Sequence, residues 1–549
     1  MKPFNNLFKL VYKRGNLRLA IYLVGAIGVV FITSTLNILL PLSFKKLLSN
    51  IELAKFNELQ YLLLYYSGLY VSIQIVEGLR MFFVLHLEQK VFHILSLHTF
   101  KHLHQLPYTF HTNQKVGSII NIVNNGITAF TSTIKNIVLP YLSVTLELIG
   151  ISILVWSFYS FKLLAIILLF ILLFIFIVIF GNSLLHYHRQ QLRDMNVHNS
   201  GFYADNLTNY VTIKLFNKEK YMTKQYNKLL HTFGKVIYKF ANKNLLFTFI
   251  GSLLVGLVIL LVLYFSIRDI RIGLSTVGDF VLINAYLLRL IRPLKSLSFI
   301  YRNFRMDVTK IEKFVDLLEI STHLSCITVN NSNKNLQLTP SIVFNKVNFS
   351  YENKSVFKDL SFELSPGKTL GILGPSGVGK SSIVSLLAGL VSSQSGSIYI
   401  GDFPIQNIPR KQLMKYISIV PQDILLFNDS IYKNISFGCE DAKDEEVKKV
   451  SKMTFAHEFI SNMPNGYSTI VGERGSKLSG GERQRIGIAR ALLKKEACIY
   501  IFDEPTSFLD NNTANLIRGL FKSSDINKSC LIISHNVKDL KFADKIIHV

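Results

Sequence analysis

Two short strings carry side chains that could handle a nucleotide. The first is Gly374-Pro-Ser-Gly-Val-Gly379-Lys380-Ser381. It follows a short apolar run, Thr369–Leu373, and opens a helical pattern, the context a phosphate-binding loop requires. Glycines at 374, 377 and 379 free the backbone so that N–H groups, including that of Ser376, can face phosphate oxygens. Lys380 is placed to reach the β- and γ-phosphates, the Ser381 hydroxyl to bind Mg²⁺, and Ser382 adds a second hydroxyl at the helix start. A chance Gly/Ser turn would lack the strand before and the helix after. The second string is Cys498-Ile-Tyr-Ile-Phe-Asp503-Glu504. An apolar strand ending in Asp503 supplies a second Mg²⁺ contact, and Glu504 stands where a base could polarise an attacking water. Alone, such an acidic pair could equally cap a helix; beside a phosphate loop it reads as an ATPase.

A third string, Leu478-Ser-Gly-Gly-Glu-Arg-Gln484, sets Ser479, Gly480 and Gly481 before an apolar-periodic helix. A helix N-terminus with small residues is an anion site. This string resembles the signature motif of the ATP-binding-cassette superfamily. The resemblance implies that it closes over the γ-phosphate of an ATP held by a second subunit. It also implies roles for residues that mean little alone, such as a strand tyrosine or a histidine near a strand end. Tyr351 would stack on adenine, and Gln422 would join Mg²⁺ to the membrane domain. Asp510 would cross the dimer interface, and His535 would touch the γ-phosphate. Gly472-Glu-Arg-Gly475 resembles an exporter segment that contacts cytoplasmic loops. No catalytic position is degenerate, so both sites of a homodimer are expected to hydrolyse ATP with Mg²⁺.

These strings need a scaffold, and the composition says which. The chain has 549 residues, 49% of them apolar, and a formal net charge of +25. Such a charge suggests nucleic acid, but its placement argues against that partner. Lys2, Lys9, Lys13, Arg14 and Arg18 precede the first apolar run, and more basic residues crowd two long loops. That is the positive-inside pattern of a membrane protein. Six spans are expected: Leu19–Phe44, Leu59–Val76 with a weaker extension to Leu87, Asn136–Trp156, Leu163–His188, Asn244–Ile267, and Val277 to about Ile300. Each is about 18 residues or longer, enough to cross a bilayer. The loop from Arg189 to Lys243 holds ten Lys/Arg against three Asp/Glu, so the long loops and both termini are expected in the cytoplasm. Helical periodicity in these loops implies helices running on past the membrane.

Beyond residue 340 the pattern changes. Ser341–Tyr351 alternates as an antiparallel strand, while Ala497–Phe502 and Cys530–Ser534 read as buried parallel strands, and a last strand is expected at Ile546–Val549. The expected fold is a membrane all-α six-helix exporter domain (1–320), a polar linker (321–340) and a cytoplasmic α/β P-loop ATPase domain (341–549). Cys326, Cys439, Cys498 and Cys530 show no paired spacing and read as free thiols.

Within the superfamily, the chain is most similar to the mitochondrial and bacterial iron–sulfur and heavy-metal exporters. The likeness runs through Asp205–Tyr210, Lys214–Glu219, Pro140, Glu147, Asn284 and Tyr301-Arg302. That subfamily handles glutathione and its sulfur or metal conjugates, which implies a small anionic or amphipathic cargo. Two departures bear on this. An Asn and a Gln that hold glutathione are replaced here by Thr248 and Gly251. Arg289, Arg292 and Lys295 make a basic row inside the sixth span, either lining the cargo path or already beyond the membrane. Thr248, Asn284, Arg289 and Arg292 are therefore the candidate cargo residues. A drug or lipid exporter, or an ATP-gated channel or receptor, are the alternatives on this scaffold. The expected partners are a second copy or a homologous half-transporter, and membrane lipids. The chain ends soon after His535, before a strand pair and helix the family carries, as a trimmed or compact variant would. It shows no targeting presequence, which favours a bacterial inner membrane over a mitochondrial one.

Overall fold

The computed structural model describes residues 2–14, 17–52, 56–114, 116–158, 161–321, 340–351, 354–375, 377–522 and 528–549. They form two compact units, Met1–His104 with Lys115–Ser321, and Gln105–Gln114 with Thr322–Val549. Residues 322–339 of the expected linker lie outside the described residues.

The first unit is helical. It holds α1 (Lys2–Arg14), α2 (Leu17–Glu52) and α3 (Phe56–Gln105). A short α4 (Tyr108–Asn113) belongs to the second unit, and α5 (Val116–Thr133) returns to the first. A π-helical turn, Ile134–Val138, carries α5 into α6 (Leu139–Phe158). Then come α7 (Phe161–Leu184), α8 (His186–Thr208), α9 (Tyr210–Leu215), α10 (Glu219–Arg271) and α11 (Val277–Glu319). Among the described residues, five stretches are long and apolar enough to cross a membrane, within α2, α3, α5–α6, α7 and α10. The sixth expected span is the first half of α11, which carries Asp279, Arg289, Arg292 and Lys295.

Helix length settles what the long loops are. α3 has 50 residues and α10 has 53. At about 1.5 Å per residue each is more than twice as long as a bilayer core is thick. The spans expected at Leu59–Val76 and Asn244–Ile267 are thus one end of α3 and of α10, while the span expected at Leu163–His188 runs past the end of α7 into α8. Two of the packed clusters in this unit are large. Ile151, Phe170, Val262, Tyr286 and Leu287 fill one, joining α6, α7, α10 and α11. Leu7, Val11, Leu19, Leu95, Phe130 and Phe314 fill the other, where amphipathic α1 lays its apolar face on the bundle. Gly126 is there because nothing larger fits: a Cβ would stand 2.3 Å from that of Phe314.

The second unit is α/β. β1 (Ile342–Tyr351), β2 (Lys354–Leu364), β4 (Ser395–Ile400) and β5 (Phe403–Pro404) make an antiparallel sheet ordered β2-β1-β4-β5. A parallel sheet runs β6 (Ile417–Val420), β7 (Ile499–Asp503), β8 (Ser529–Ser534), β3 (Thr369–Leu373), β9 (Lys545–His548). Every residue of β7 and β8 is buried, as continuous apolar strands between two layers must be. The helices are α12 (Lys380–Leu387), α13 (Arg410–Tyr416), α14 (Ile431–Ser436), α15 (Asp444–Met453), α16 (His457–Ser461), α17 (Gly480–Leu492) and α18 (Asn511–Lys522). Cys439, Cys498 and Cys530 are free thiols. Burial pushes the Cys530 thiol up to about 12, so it stays protonated at neutral pH.

Candidate nucleotide site and an arginine-lined cavity

The parallel register decides the site. Leu373 pairs with Ser534, and Asp503 with Ile533, so β3, β7 and β8 end at one edge of the sheet. The segments that continue from them, starting at Gly374, Glu504 and His535, therefore leave side by side. This is where α/β sheets bind ligands.

The phosphate loop is held open by its glycines. Gly377 and Gly379 have φ of 86° and 105°, which side chains disfavour, and a Cβ on Gly379 would stand 2.2 Å from Val356 Cγ1. Gly379 caps α12, and the Ser382 N–H bonds its carbonyl at 2.7 Å. Lys380 is buried at this helix start. Its Nζ donates to the Gly374 carbonyl at 2.6 Å and lies 3.5 Å from Glu504 Oε1. Ser376 lies outside the described residues.

Asp503 and Glu504 are both buried. Ser381 Oγ donates to Asp503 Oδ2 at 3.0 Å, while Asp503 Oδ1 is buried with no hydrogen-bond partner. Burial holds the Asp503 carboxyl above its ordinary range, outweighing the Ser381 hydrogen bond. A divalent cation would satisfy the orphaned oxygen and favour the ionised form, so the donor set fits Mg²⁺. Glu504 turns with φ 48°, a left-handed conformation unusual for a side chain of its size. The turn is secured by its own N–H to the Ile533 carbonyl at 2.8 Å and by Ser507 Oγ to its carbonyl at 3.1 Å. Its carboxylate gathers three other candidates. Gln422 Nε2 donates to Oε2 at 3.1 Å, and His535 Nδ1 lies 3.0 Å from Oε1, with Lys380 beyond.

The other nucleotide candidates stand apart from this cluster. Tyr351, at the end of β1, is exposed, its ring T-shaped to that of Phe349 with centroids 4.8 Å apart. Ser479 caps α17 through a capping box with Glu482, its Oγ 2.9 Å from Glu482 Oε2. Gly480 and Gly481 pack on Phe508, where a Cβ would come within 3.2 Å and 3.1 Å of it. Asp510 caps α18, accepting from the N–H groups of Asn512 and Thr513 at 3.0 Å. Among the described residues, none of the hydrogen bonds of Ser479, Gly480 or Gly481 reaches Gly374–Ser381.

In the helical unit the structure revises the basic row. Arg289 does not present a free guanidinium: Nη2 donates to Asn37 Oδ1 at 2.6 Å, and Nη1 bonds the Asn37 carbonyl. Asn37 in turn donates to Glu147 Oε1 at 2.9 Å, so the three residues tie α2, α6 and α11 together. Sequence spacing within one helix could not show a partner on another. The Arg292 and Lys295 side chains lie outside the described residues. Thr248 is exposed and spends its hydroxyl on the Asn244 carbonyl; Asn284 is half-buried.

A different basic cluster surrounds a cavity of about 810 Å³ between α7–α8, α10 and α11. Asn182, His186, Arg189, Arg193 and Arg305 supply its polar lining. Arg189 Nη2 donates to Asn182 Oδ1 at 2.7 Å, and the buried Asn182 Nδ2 has no hydrogen-bond partner. The sequence reading did not single out these residues: Asn182 and His186 fell in the fourth expected span and Arg189 and Arg193 in the loop after it. The signal was there: Arg189 and Arg193 are four apart, one helical face.

Both units match known protein families. Residues 23–294 fit the ABC transporter transmembrane region, and residues 357–507 fit the ABC transporter model. The rat mitochondrial iron-sulfur clusters transporter ABCB7 is 32% identical over 460 residues, 82% of this chain and 60% of that protein. The chain thus spans well under two thirds of that relative's length. The ATM1-type heavy metal exporter of Novosphingobium aromaticivorans is 29% identical over 531 residues, covering 95% of this chain and 87% of its own. A solved bacterial Atm1-family ABC exporter with ATP bound superposes with a TM-score of 0.83, at 27% identity over 97% of this chain and 94% of that one. With a membrane region and an ATPase region of one family in sequence order, this chain belongs to the ATP-binding-cassette transporters, as a half-transporter.

Proposed function

We propose that this chain is one half of an ATP-driven exporter that moves a small anionic or amphipathic solute, with glutathione-linked sulfur or metal conjugates as leading cargo. The observation that carries the ATPase reading is the Glu504 carboxylate, met by Gln422, His535 and Lys380 at one sheet edge. Lys380 and the N–H groups of the glycine loop bind the ATP phosphates, and Tyr351 stacks on the base. Ser381, Asp503 and Gln422 hold Mg²⁺, the cation supplying positive charge against the phosphate oxygens. Glu504 orients and accepts a proton from the attacking water. His535 steadies the Glu504 carboxylate and donates toward the γ-phosphate region. Ser479, Gly480, Gly481 and Asp510 serve the site of a second copy or a homologous half-transporter, since their own chain's loop is not their hydrogen-bond partner. The relatives' names, an iron-sulfur clusters transporter and a heavy metal exporter, support the cargo class. The arginine-lined cavity supports its charge, because guanidinium groups bind carboxylates in a bidentate, charge-assisted way.

The division into a membrane domain (1–320), linker (321–340) and cytoplasmic ATPase domain (341–549) belongs to the same proposal. So do cytoplasmic termini, on the charge pattern of the loops. The test is transport in inverted vesicles holding the purified protein. ATP-dependent accumulation of oxidised glutathione against its gradient is expected. Flux only down the gradient would mark a gated channel instead, and uptake of a cationic drug in preference to it would reject the cargo class.

A further inference from the structure

The geometry points to a binding site for the phosphate headgroup of an anionic phospholipid, between the start of α2 and the cytoplasmic extension of α3. A cavity of about 300 Å³ there is lined by Arg18, Leu19, Lys90, His93, Ile94, Leu97, His98 and Lys101. Among the described residues, no carboxylate lines it. The acidic neighbour along the helix, Glu88, is held by Lys135 at 3.0 Å.

The pairing of the two helices sets the level of this cavity. A Cβ on Gly25 would meet the Phe83 ring at 2.5 Å, and the rings of Tyr22 and His86 lie 5.2 Å apart. The helices are antiparallel, so Arg18 is level with Lys90. His93, Leu97 and Lys101 continue beyond the point where α2 begins. The first turn of α2 carries no acidic residue, and the dipole at a helix start favours an anion.

An apolar approach distinguishes a lipid from a soluble phosphate. Leu79, Phe82, His86, Lys90, His93 and Leu97 succeed one another at steps of three or four along α3, a single helical row. Leu79 and Phe82 are exposed, as is Ile21 on α2. The row is apolar at Leu79 and Phe82, in the weaker extension of the expected span, and carries His86, Lys90 and His93 toward the level where the uncharged run of α2 ends. Headgroup phosphate on Lys90, Lys101 and Arg18, with acyl chain along Phe82 and Leu79, matches that order. Anionic lipids attract such juxtamembrane basic groups.

Native mass spectrometry of the delipidated full chain tests this, titrated with phosphatidylglycerol or with phosphatidylcholine of the same chains. Wild type is expected to prefer phosphatidylglycerol, and Lys90→Gln/Lys101→Gln to weaken its binding about tenfold or more. Lys90→Arg/Lys101→Arg should retain it, which separates lost charge from misfolding. Arg268→Gln/Arg271→Gln, at the opposite end of the span, should also retain it. Equal binding of the two lipids by wild type, or undiminished binding by the Gln pair, would overturn the site. Displacement of phosphatidylglycerol by millimolar inorganic phosphate would overturn the lipid as its occupant.

Discussion

At the scale of single residues, position in the sheet edge decides role. Glu504 is buried, strained into the left-handed region and surrounded by donors, so removing its charge should stop turnover without emptying the site. Glu504→Gln is expected to lower steady-state ATP hydrolysis by about 10²–10⁴-fold, the usual loss for a positioned base. ATP retention by the purified variant should stay near wild type; near-normal hydrolysis would remove Glu504 from the mechanism. Among the arginines, partner and place separate two kinds. Arg189→Gln/Arg193→Gln is expected to weaken stimulation of ATPase activity by oxidised glutathione, raising the half-maximal concentration about tenfold. Arg289→Gln should leave that concentration unchanged while lowering the melting temperature, since its guanidinium serves Asn37. Equal loss of cargo affinity in both variants would return Arg289 to the cargo path.

Elements are joined to the site by polar contacts beneath it. Asp539 receives Arg518 Nε and Thr506 Oγ1 on Oδ1, at 2.8 Å and 2.7 Å, and Ser534 Oγ on Oδ2 at 2.6 Å. All four residues are buried. One carboxylate therefore fastens α18, the segment after β7 and the end of β8, each next to a catalytic candidate. Asp539→Ala would leave the Arg518 charge uncompensated in the interior, a change that costs about 3–5 kcal/mol. The unfolding transition of the ATPase unit in the full chain should fall by several degrees, read by scanning calorimetry. An unchanged transition would show that water replaces the carboxylate without loss. In the helical unit, the π-turn at Ile134–Val138 interrupts the regular ladder between α5 and α6. Such π-helical turns are rare and occur mostly as single-turn bulges inside α-helices.

At the scale of the whole molecule, the proposed function assigns the nucleotide served by the Ser479 helix to another chain. Ser479 is an N-cap whose hydroxyl is occupied by Glu482, and the phosphate loop is not among its partners. A mixed dimer of Lys380→Ala and Ser479→Arg chains keeps at most one intact composite site. Such mixtures should hydrolyse ATP, whereas either variant alone should be nearly inactive. Activity strictly proportional to chain concentration, with no dimer detected by light scattering, would reject shared sites.

The sequence by itself determined every feature that depends on residue type and short-range spacing. The glycine loop before Lys380, the apolar strand before Asp503, and the alternation from Ser341 to Tyr351 all report local backbone needs, and the structure places them as strand, turn and helix accordingly. Apolar runs likewise located the spans, because burial in lipid tolerates few charges. Tertiary structure alone decided which distant groups meet. That Glu504 touches Gln422 and His535 comes from strand order β6-β7-β8-β3, which no spacing encodes. That Arg289 serves Asn37, while Arg189, Arg193 and Arg305 share a cavity, depends on which helix faces pack. A charged side chain in a span must find a partner, and its sequence states the need without naming where the partner stands.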